Sequence, residues 1–160
     1  MELLIVSDSH GKKERILRLL REHPSAKYLL FCGDGINDIS EIEEKFPALI
    51  VCAVKGNCDR FCDIPEERFF SVDGVRILMM HGHSYGVKGG MGAALSHAKK
   101  MNADILLYGH THVPKNEYAS DASISLFNPG SLAERTVDGY SYGVLEIRQG
   151  RYLLSHGNLK

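Results

Sequence analysis

The chain has 160 residues, and none of its apolar stretches approaches the length that spans a bilayer, so a helical membrane span is excluded. It also lacks a basic stripe interleaved with aromatics. Lys12-Lys13 and Lys99-Lys100 are its only basic doublets, and 19 Lys and Arg against 20 Asp and Glu leave a formal charge of -1. Tight binding to long nucleic acid needs such a basic footprint, so no long nucleic-acid partner is expected, while a small nucleotide stays open as substrate. Met1-Glu2-Leu3-Leu4-Ile5-Val6 lacks the basic start of a secretory signal and turns polar at Ser7, which makes the cytoplasm the expected compartment. In that setting Cys32, Cys52, Cys58 and Cys62 are expected as thiols. Cys58 and Cys62 have no second cysteine pair to complete a zinc knuckle. No repeat, low-complexity tract or linker interrupts the chain, and its length suits a single domain over 1–160.

Apolar periodicity divides the chain into two characters. Leu3–Val6, Tyr28–Cys32 and Leu49–Val54 read as buried strands. They alternate with helices expected at Lys12–Glu22 and Asp38–Phe46, the second with Asp38 and Glu41 at capping-box spacing. This β-α-β-α-β order predicts parallel pairing with right-handed crossovers. Beyond it, Arg68–Val72 and Val75–Met80 flank Asp73-Gly74, a two-residue hairpin turn. A glycine-rich lead-in, a helix near Ala93–Met101 and a strand at Ile105–Tyr108 follow. The segments Ser123–Phe127, Tyr140–Ile147 and Arg151–Ser155 read as an antiparallel tail turning at Gln149-Gly150. Two sheets packed face to face with helices outside is the simplest layered solution.

Metal-competent side chains recur at the strand ends. Asp8 and His10 follow the first strand, Asp34 the second, Asn57 the third, His81 the hairpin, and His110 and His112 the strand after it. Ligands in open α/β sheets bind beyond the carboxyl ends of strands, so these segments are expected to converge on one rim. The period-two spacing of Asp8/His10 and His110/His112 would, in extended backbone, aim each pair one way. Taken singly, each has a bland explanation: Asp8, Ser9 and Asn37 as helix caps, Asp34 as turn chemistry, His81 as a hydrogen-bonded structural imidazole. Their joint occurrence argues for a metal centre. His23, His97 and His156 lie outside these motifs and are expected at the surface. Phe61, Ile64, Phe69 and Phe70 are either a homo-oligomer patch or core.

These residues form the pattern D-x-H, G-D, G-N-C-D, H and G-H-x-H, followed by Asn128-Pro129-Gly130-Ser131. The chain thereby resembles the calcineurin-like metallophosphoesterases, and within them the compact YfcE-type phosphodiesterases. The resemblance implies a four-layer α/β/β/α sandwich of two packed mixed sheets with outer helices. It implies that Asp8, His10 and His112 hold one divalent ion and Asn57, His81 and His110 a second, with Asp34 bridging. The implied activity is phosphodiester hydrolysis of small phosphoesters, with a bridging hydroxide as nucleophile. Alternatives on the same fold are a phosphomonoesterase, a nuclease, or an interaction module like the retromer subunit, whose metal site is degraded.

The imidazole-rich donor set disfavours magnesium and suits manganese, the expected metal, with nickel, cobalt, iron or zinc as alternatives. Cys58 stands where the broader family carries its general-acid His. A thiolate beside cations cannot donate a proton, so a weak acid step and a preference for good leaving groups are expected. His83 is expected beside the ligands or on substrate phosphate, and it is a candidate leaving-group acid.

Overall fold

The computed structural model describes residues 1–160. Its architecture follows from the parity of the first strand, β1 (Glu2–Val6). Leu3 and Ile5 face one way, Leu4 and Val6 the other, and all four are completely buried. A strand apolar on both sides must be covered on both faces.

β1 pairs in parallel with β2 (Tyr28–Phe31), which pairs in parallel with β3 (Ile50–Ala53). Two late strands, β9 (Tyr140–Arg148) and β10 (Arg151–Leu159), add antiparallel on the other side, giving the order β10-β9-β1-β2-β3. The second sheet contains β4 (Glu67–Val72), β5 (Val75–Met80), β6 (Ile105–Leu107), β7 (Lys115–Ala119) and β8 (Ile124–Asn128), in the order β4-β5-β6-β8-β7. Within it β5, β6 and β8 run parallel.

Three apolar cores separate four layers. Leu3, Ile5, Leu30 and Cys32 meet Ile77, Met79, Leu107 and Phe127 between the sheets. On the outer face of the first sheet, Leu4, Val6, Leu29 and Phe31 pack against Ile16, Leu19 and Leu20 of α1 (Lys13–Glu22) and Ile42 of α2 (Ile42–Lys45). On the outer face of the second, Leu78, Met80 and Leu106 pack against Ala94 and Ala98 of α3 (Gly92–Lys100). The protein is an α/β/β/α sandwich. No helix is long and apolar enough to cross a membrane.

Both two-residue turns form with left-handed backbone at each position: Asp73 (φ 47°) with Gly74 (82°), and Gln149 (51°) with Gly150 (73°). The helix expected over Asp38–Phe46 does not form as one element. Ile36–Ile39 is a single 3-10 turn and only Ile42–Lys45 is α-helical. Asp38 is diverted from capping: its Oδ2 accepts the Ser9 hydroxyl (2.5 Å) and the Gly11 N–H (2.9 Å). Ser9 likewise does not cap α1, whose N-cap is Lys12. β7 had no apolar signal because it is an exposed edge strand, and β10 runs on to Leu159 because its ladder with β9 continues through the polar stretch Ser155–Asn158 to the buried Leu159.

His23, His97 and His156 are half-buried, not surface residues. His23 bridges Glu2 (3.2 Å) and the Tyr142 hydroxyl (3.0 Å), and His97 meets Glu67 at 3.1 Å. His156 stacks on Phe127 and donates to the Asn128 carbonyl at 2.7 Å. Ile64 and Phe70 pack against the cores, which leaves Phe61 and Phe69 exposed.

Arg76 at the start of β5 grips Asp104 before β6 with two guanidinium bonds (3.0 and 2.6 Å) and its backbone N–H (2.8 Å). The Arg76 hydrogen bonds hold the Asp104 carboxyl below its ordinary value, against a smaller opposing effect of burial. With the folded value depressed, the pair's stabilisation is complete above the unfolded carboxyl value and is lost as pH falls through the folded one. Asp104→Asn should therefore lower the urea midpoint at pH 7, and the gap from wild type should begin to shrink as pH falls toward about 4, the ordinary carboxyl value, and close only below the depressed folded value. A gap independent of pH would assign the effect to packing.

Candidate metal centre

Because β1, β2 and β3 are parallel, and β5, β6 and β8 are parallel, the loops that follow them emerge on common rims. Asp8 and His10 follow β1, Asp34 follows β2, Asn57 follows β3, His81 ends β5, and His110 and His112 follow β6. The loops stay bonded beyond the strands: Asp8 N–H donates to Gly33 O (2.9 Å), His10 N–H to Asp34 O (3.2 Å) and Gly109 N–H to His81 O (3.1 Å).

The expectation of extended backbone at Asp8/His10 and His110/His112 fails. Asp8 (φ 53°), His10 (40°), Asp34 (60°), His110 (66°) and His112 (60°) are all left-handed. The chain reverses sharply at each strand end, and the alternation of a strand no longer governs where the side chains point. Each such residue costs about 1–3 kcal/mol and persists only where its surroundings over-determine it. His110 and His112 accordingly part, one to each of two clusters.

In the first cluster, donor atoms of Asp8, His10 and His112 lie within 4.8 Å of one another, and in the second those of Asp34, His81 and His110 do. Asp34 stands between the two. Its Oδ2 is 3.3 Å from His81 Nε2 and 3.9 Å from His10 Nε2. Asn57 Oδ1 lies 3.2 Å from His81 Nε2. Cys58 is exposed and its Sγ groups with His10 and Asp34. His83 belongs to neither cluster; its ring centroid is 5.5 Å from that of His81 and 6.2 Å from that of His110.

The donor atoms fit cations. Asp8 is completely buried, and its Oδ2 accepts the Ser7 hydroxyl (2.6 Å) and the His110 N–H (3.1 Å). Its Oδ1 is buried with no hydrogen-bond partner, 3.1 Å from His112 Nε2, 3.8 Å from His10 Nε2 and 4.0 Å from His81 Nε2. A buried carboxylate oxygen without a hydrogen-bond partner, set among imidazole nitrogens, fits a positive charge. His81 Nδ1 donates to Cys32 O (2.8 Å), which leaves Nε2 as the ring nitrogen facing the cluster. Glu134 does the same for His112, 2.7 Å from its Nδ1.

Protonation follows these contacts. Burial raises the Asp8 carboxyl, against the pull of His81 and His112. Burial works to raise Asp34 too, but hydrogen bonds from His81 and the Cys58 N–H outweigh it and hold Asp34 below the usual carboxylate range. His81 is raised, because Asp34 and Asp8 overcome the effect of its burial. Burial, aided by His81, Lys88 and His83, pushes His110 down to about 4, so its ring is neutral near pH 7. Burial and then Asp34 push the Cys58 thiol up, so the chain's own charges favour its protonated form.

Sequence reasoning passed over the residues that hold the loops. Asp59 accepts four backbone N–H groups, from Asp34 (2.7 Å), Gly35 (2.8 Å), Ile36 (2.9 Å) and Gly56 (2.8 Å), and so locks the β2 and β3 loops together. Its place in Gly56-Asn57-Cys58-Asp59 was the available signal. Ser131 donates to Asp8 O (2.8 Å), and Asn128 donates to Gly109 O (2.9 Å) and Thr111 Oγ1 (3.0 Å). Gly56 and Gly109 are required for space, since a Cβ on Gly56 would strike the Asp34 carboxylate and one on Gly109 the Ser7 hydroxyl. Asp59→Ala should leave the cores intact and weaken metal affinity by roughly 10–100-fold, as losses of outer partners do. Competition with a chromophoric chelator measures it, and unchanged affinity would dismiss Asp59 as a brace.

Comparison with known proteins agrees with this geometry. Residues 1–150 match the family model of the calcineurin-like phosphoesterase superfamily domain. The chain is similar to the probable metallophosphoesterase YsnB of Bacillus subtilis, with 33% identity over 92% of this chain and 85% of that one. It is 29% identical to the phosphodiesterase YfcE of Escherichia coli K12 over 91% of this chain and 88% of that one. The YfcE structure superposes with a TM-score of 0.67 at 27% identity over 91% and 88% of the two chains. The fold recurs in a conserved Streptococcus pneumoniae TIGR4 protein, with a TM-score of 0.82 and 24% identity over 97% of this chain and 87% of that one. It recurs also in zinc-complexed Vps29 of Entamoeba histolytica, with a TM-score of 0.70 and 22% identity over 98% of each chain. A strand-end rim of carboxylates and imidazoles, and a family match across nearly the whole chain, lead to one conclusion: this protein belongs to the calcineurin-like phosphoesterase superfamily, the metallophosphoesterases.

Proposed function

We propose that the protein is a dinuclear metal-dependent phosphodiesterase acting on small phosphoesters, with manganese as the working metal and nickel, cobalt, iron or zinc able to replace it. The observation that carries this reading is Asp8 Oδ1, buried and unpartnered among three imidazole nitrogens. Asp8, His10 and His112 would hold one ion and Asn57, His81 and His110 the other, with Asp34 facing both. Bound there, divalent ions would supply Lewis acidity toward the phosphoryl oxygens and lower the pKa of water from about 15.7 to roughly 7.

The chain's own groups do the remaining work. Cys32 O and Glu134 fix the His81 and His112 tautomers, so that each presents Nε2 without reorganisation. Neutral His110 offers its lone pair at neutral pH. His83, whose Nδ1 has no partner, is the remaining imidazole at the rim and the candidate donor to the leaving oxygen. Cys58, exposed beside His10 and Asp34, is a poor acid in this role. A scaffold-only role of the Vps29 kind fits less well, because every expected ligand is present and the unpartnered Asp8 Oδ1 suits a cation.

Chelator-stripped protein should regain hydrolysis of bis(p-nitrophenyl) phosphate when divalent ions are returned singly, manganese most strongly. No recovery with any ion would end the enzyme reading, and turnover of p-nitrophenyl phosphate or single-stranded DNA without the diester would select a monoesterase or nuclease. Asp34→Asn should abolish turnover and lower metal stoichiometry, read by elemental analysis. Cys58→His should narrow the preference for aryl over alkyl diesters by about tenfold or more, the scale of a restored general acid. An unchanged preference would show that Cys58 does not limit the acid step.

A further inference from the structure

Phe61 combines two unfavourable properties. Its side chain is completely exposed, and its backbone is left-handed at φ 57°, a genuine outlier for a bulky residue. Neither is an accident of a loose loop. Asp59, two residues earlier, is bonded to four backbone N–H groups, and Cys62, one residue later, reaches back to Asp59 O at 3.7 Å. The loop is therefore pinned at both flanks, in a geometry that holds the ring out in solvent. No apolar neighbour rewards that cost in the protein itself.

Phe61 is also next to the chemistry. Phe61 lines a cleft of about 210 Å³ with Ile36, Asn37, Cys58 and Arg60. Cys58, on that lining, groups with the candidate ligands His10 and Asp34. A phosphodiester carries two organic substituents, and one placed toward this cleft meets a flat apolar ring and Ile36, with Asn37 and Arg60 offering polar hydrogens at the edge. A second groove of about 550 Å³, lined by Val87, Lys88, Thr111 and Val113 on the other sheet's loops, leaves room for the other substituent.

Resting on the phosphodiesterase reading above, we propose that Phe61 is a specificity-determining residue. Its ring stacks on a planar aromatic substituent of the phosphodiester, the class to which nucleotidyl esters belong. Aromatic pairs of this kind change affinity by about twofold to tenfold.

The test compares manganese-reconstituted wild type, Phe61→Ala and Phe61→Tyr on bis(p-nitrophenyl) phosphate and methyl p-nitrophenyl phosphate. Both release the same leaving group and differ in the substituent retained. Phe61→Ala should raise KM for the bis-aryl ester about fivefold with kcat held, and leave the methyl ester within error. Phe61→Tyr should restore the wild-type ratio, and neither variant should shift Tm downward, since the ring is buried against nothing. Equal changes for the two esters, or none, would overturn the stacking role while leaving the phosphodiesterase reading intact. A loss of oligomeric state in Phe61→Ala by analytical ultracentrifugation, with an unchanged ester ratio, would overturn it in favour of a contact between copies of the chain. Wild type inert toward both esters would overturn the phosphodiesterase reading and the stacking role together.

Discussion

The rim is organised by two acidic side chains, each tied down by one oxygen and left with the other free. Asp8 gives Oδ2 to Ser7 and the His110 N–H, and Asp34 gives Oδ1 to the Cys58 N–H. Their remaining oxygens face the same imidazoles. Withdrawing carboxylates from water costs several kcal/mol each unless other groups compensate. The surrounding features read as parts of that compensation. They include the glycines that admit close approach and the hydrogen-bonded histidine tautomers, while the left-handed backbone at five of the candidate positions adds a further cost that these contacts must outweigh. A cation bound there would become part of what stabilises the native state.

The layering was legible because it is written in parity. Leu3 and Ile5 against Leu4 and Val6, or Leu78 and Met80 against Ile77 and Met79, declare two buried faces, and buried faces require neighbours. What escaped were elements specified by backbone pairing. β7 has no buried side chain, and Ser155–Asn158 of β10 follow β9 as a polar stretch before the buried Leu159. The broken helix at Asp38 escaped for another reason. A side chain drawn to a distant partner, Ser9, contradicts the local rule that would have made it a cap.

The convergence of the candidate ligands could be read because they share a position, just after a strand. Their orientation could not, since alternation ceases once φ turns positive. The braces were harder still. Asp59, Glu134 and Ser131 touch ligands or their loops through single polar atoms across 24, 22 and 123 residues, as in Gly35–Asp59, His112–Glu134 and Asp8–Ser131. Motif membership singles out Asp59 and Ser131, but the bracing contacts themselves exist only in the fold, and Glu134 carries no local signal. The same holds for Phe61, whose significance lies in exposure and backbone angle, properties of the fold alone.

The order of these parts along the chain has a consequence for biosynthesis. Every candidate ligand is encoded by position 112, but the clasps on Asp8 and Gly109 come from Ser131 and Asn128, and Asn128 is itself held by His156 on the final strand. A nascent polypeptide emerging from the ribosome thus displays all its donors before the parts that aim them exist. A cation caught at the rim would be held in its final geometry only once Ser131, Asn128 and β10 have docked.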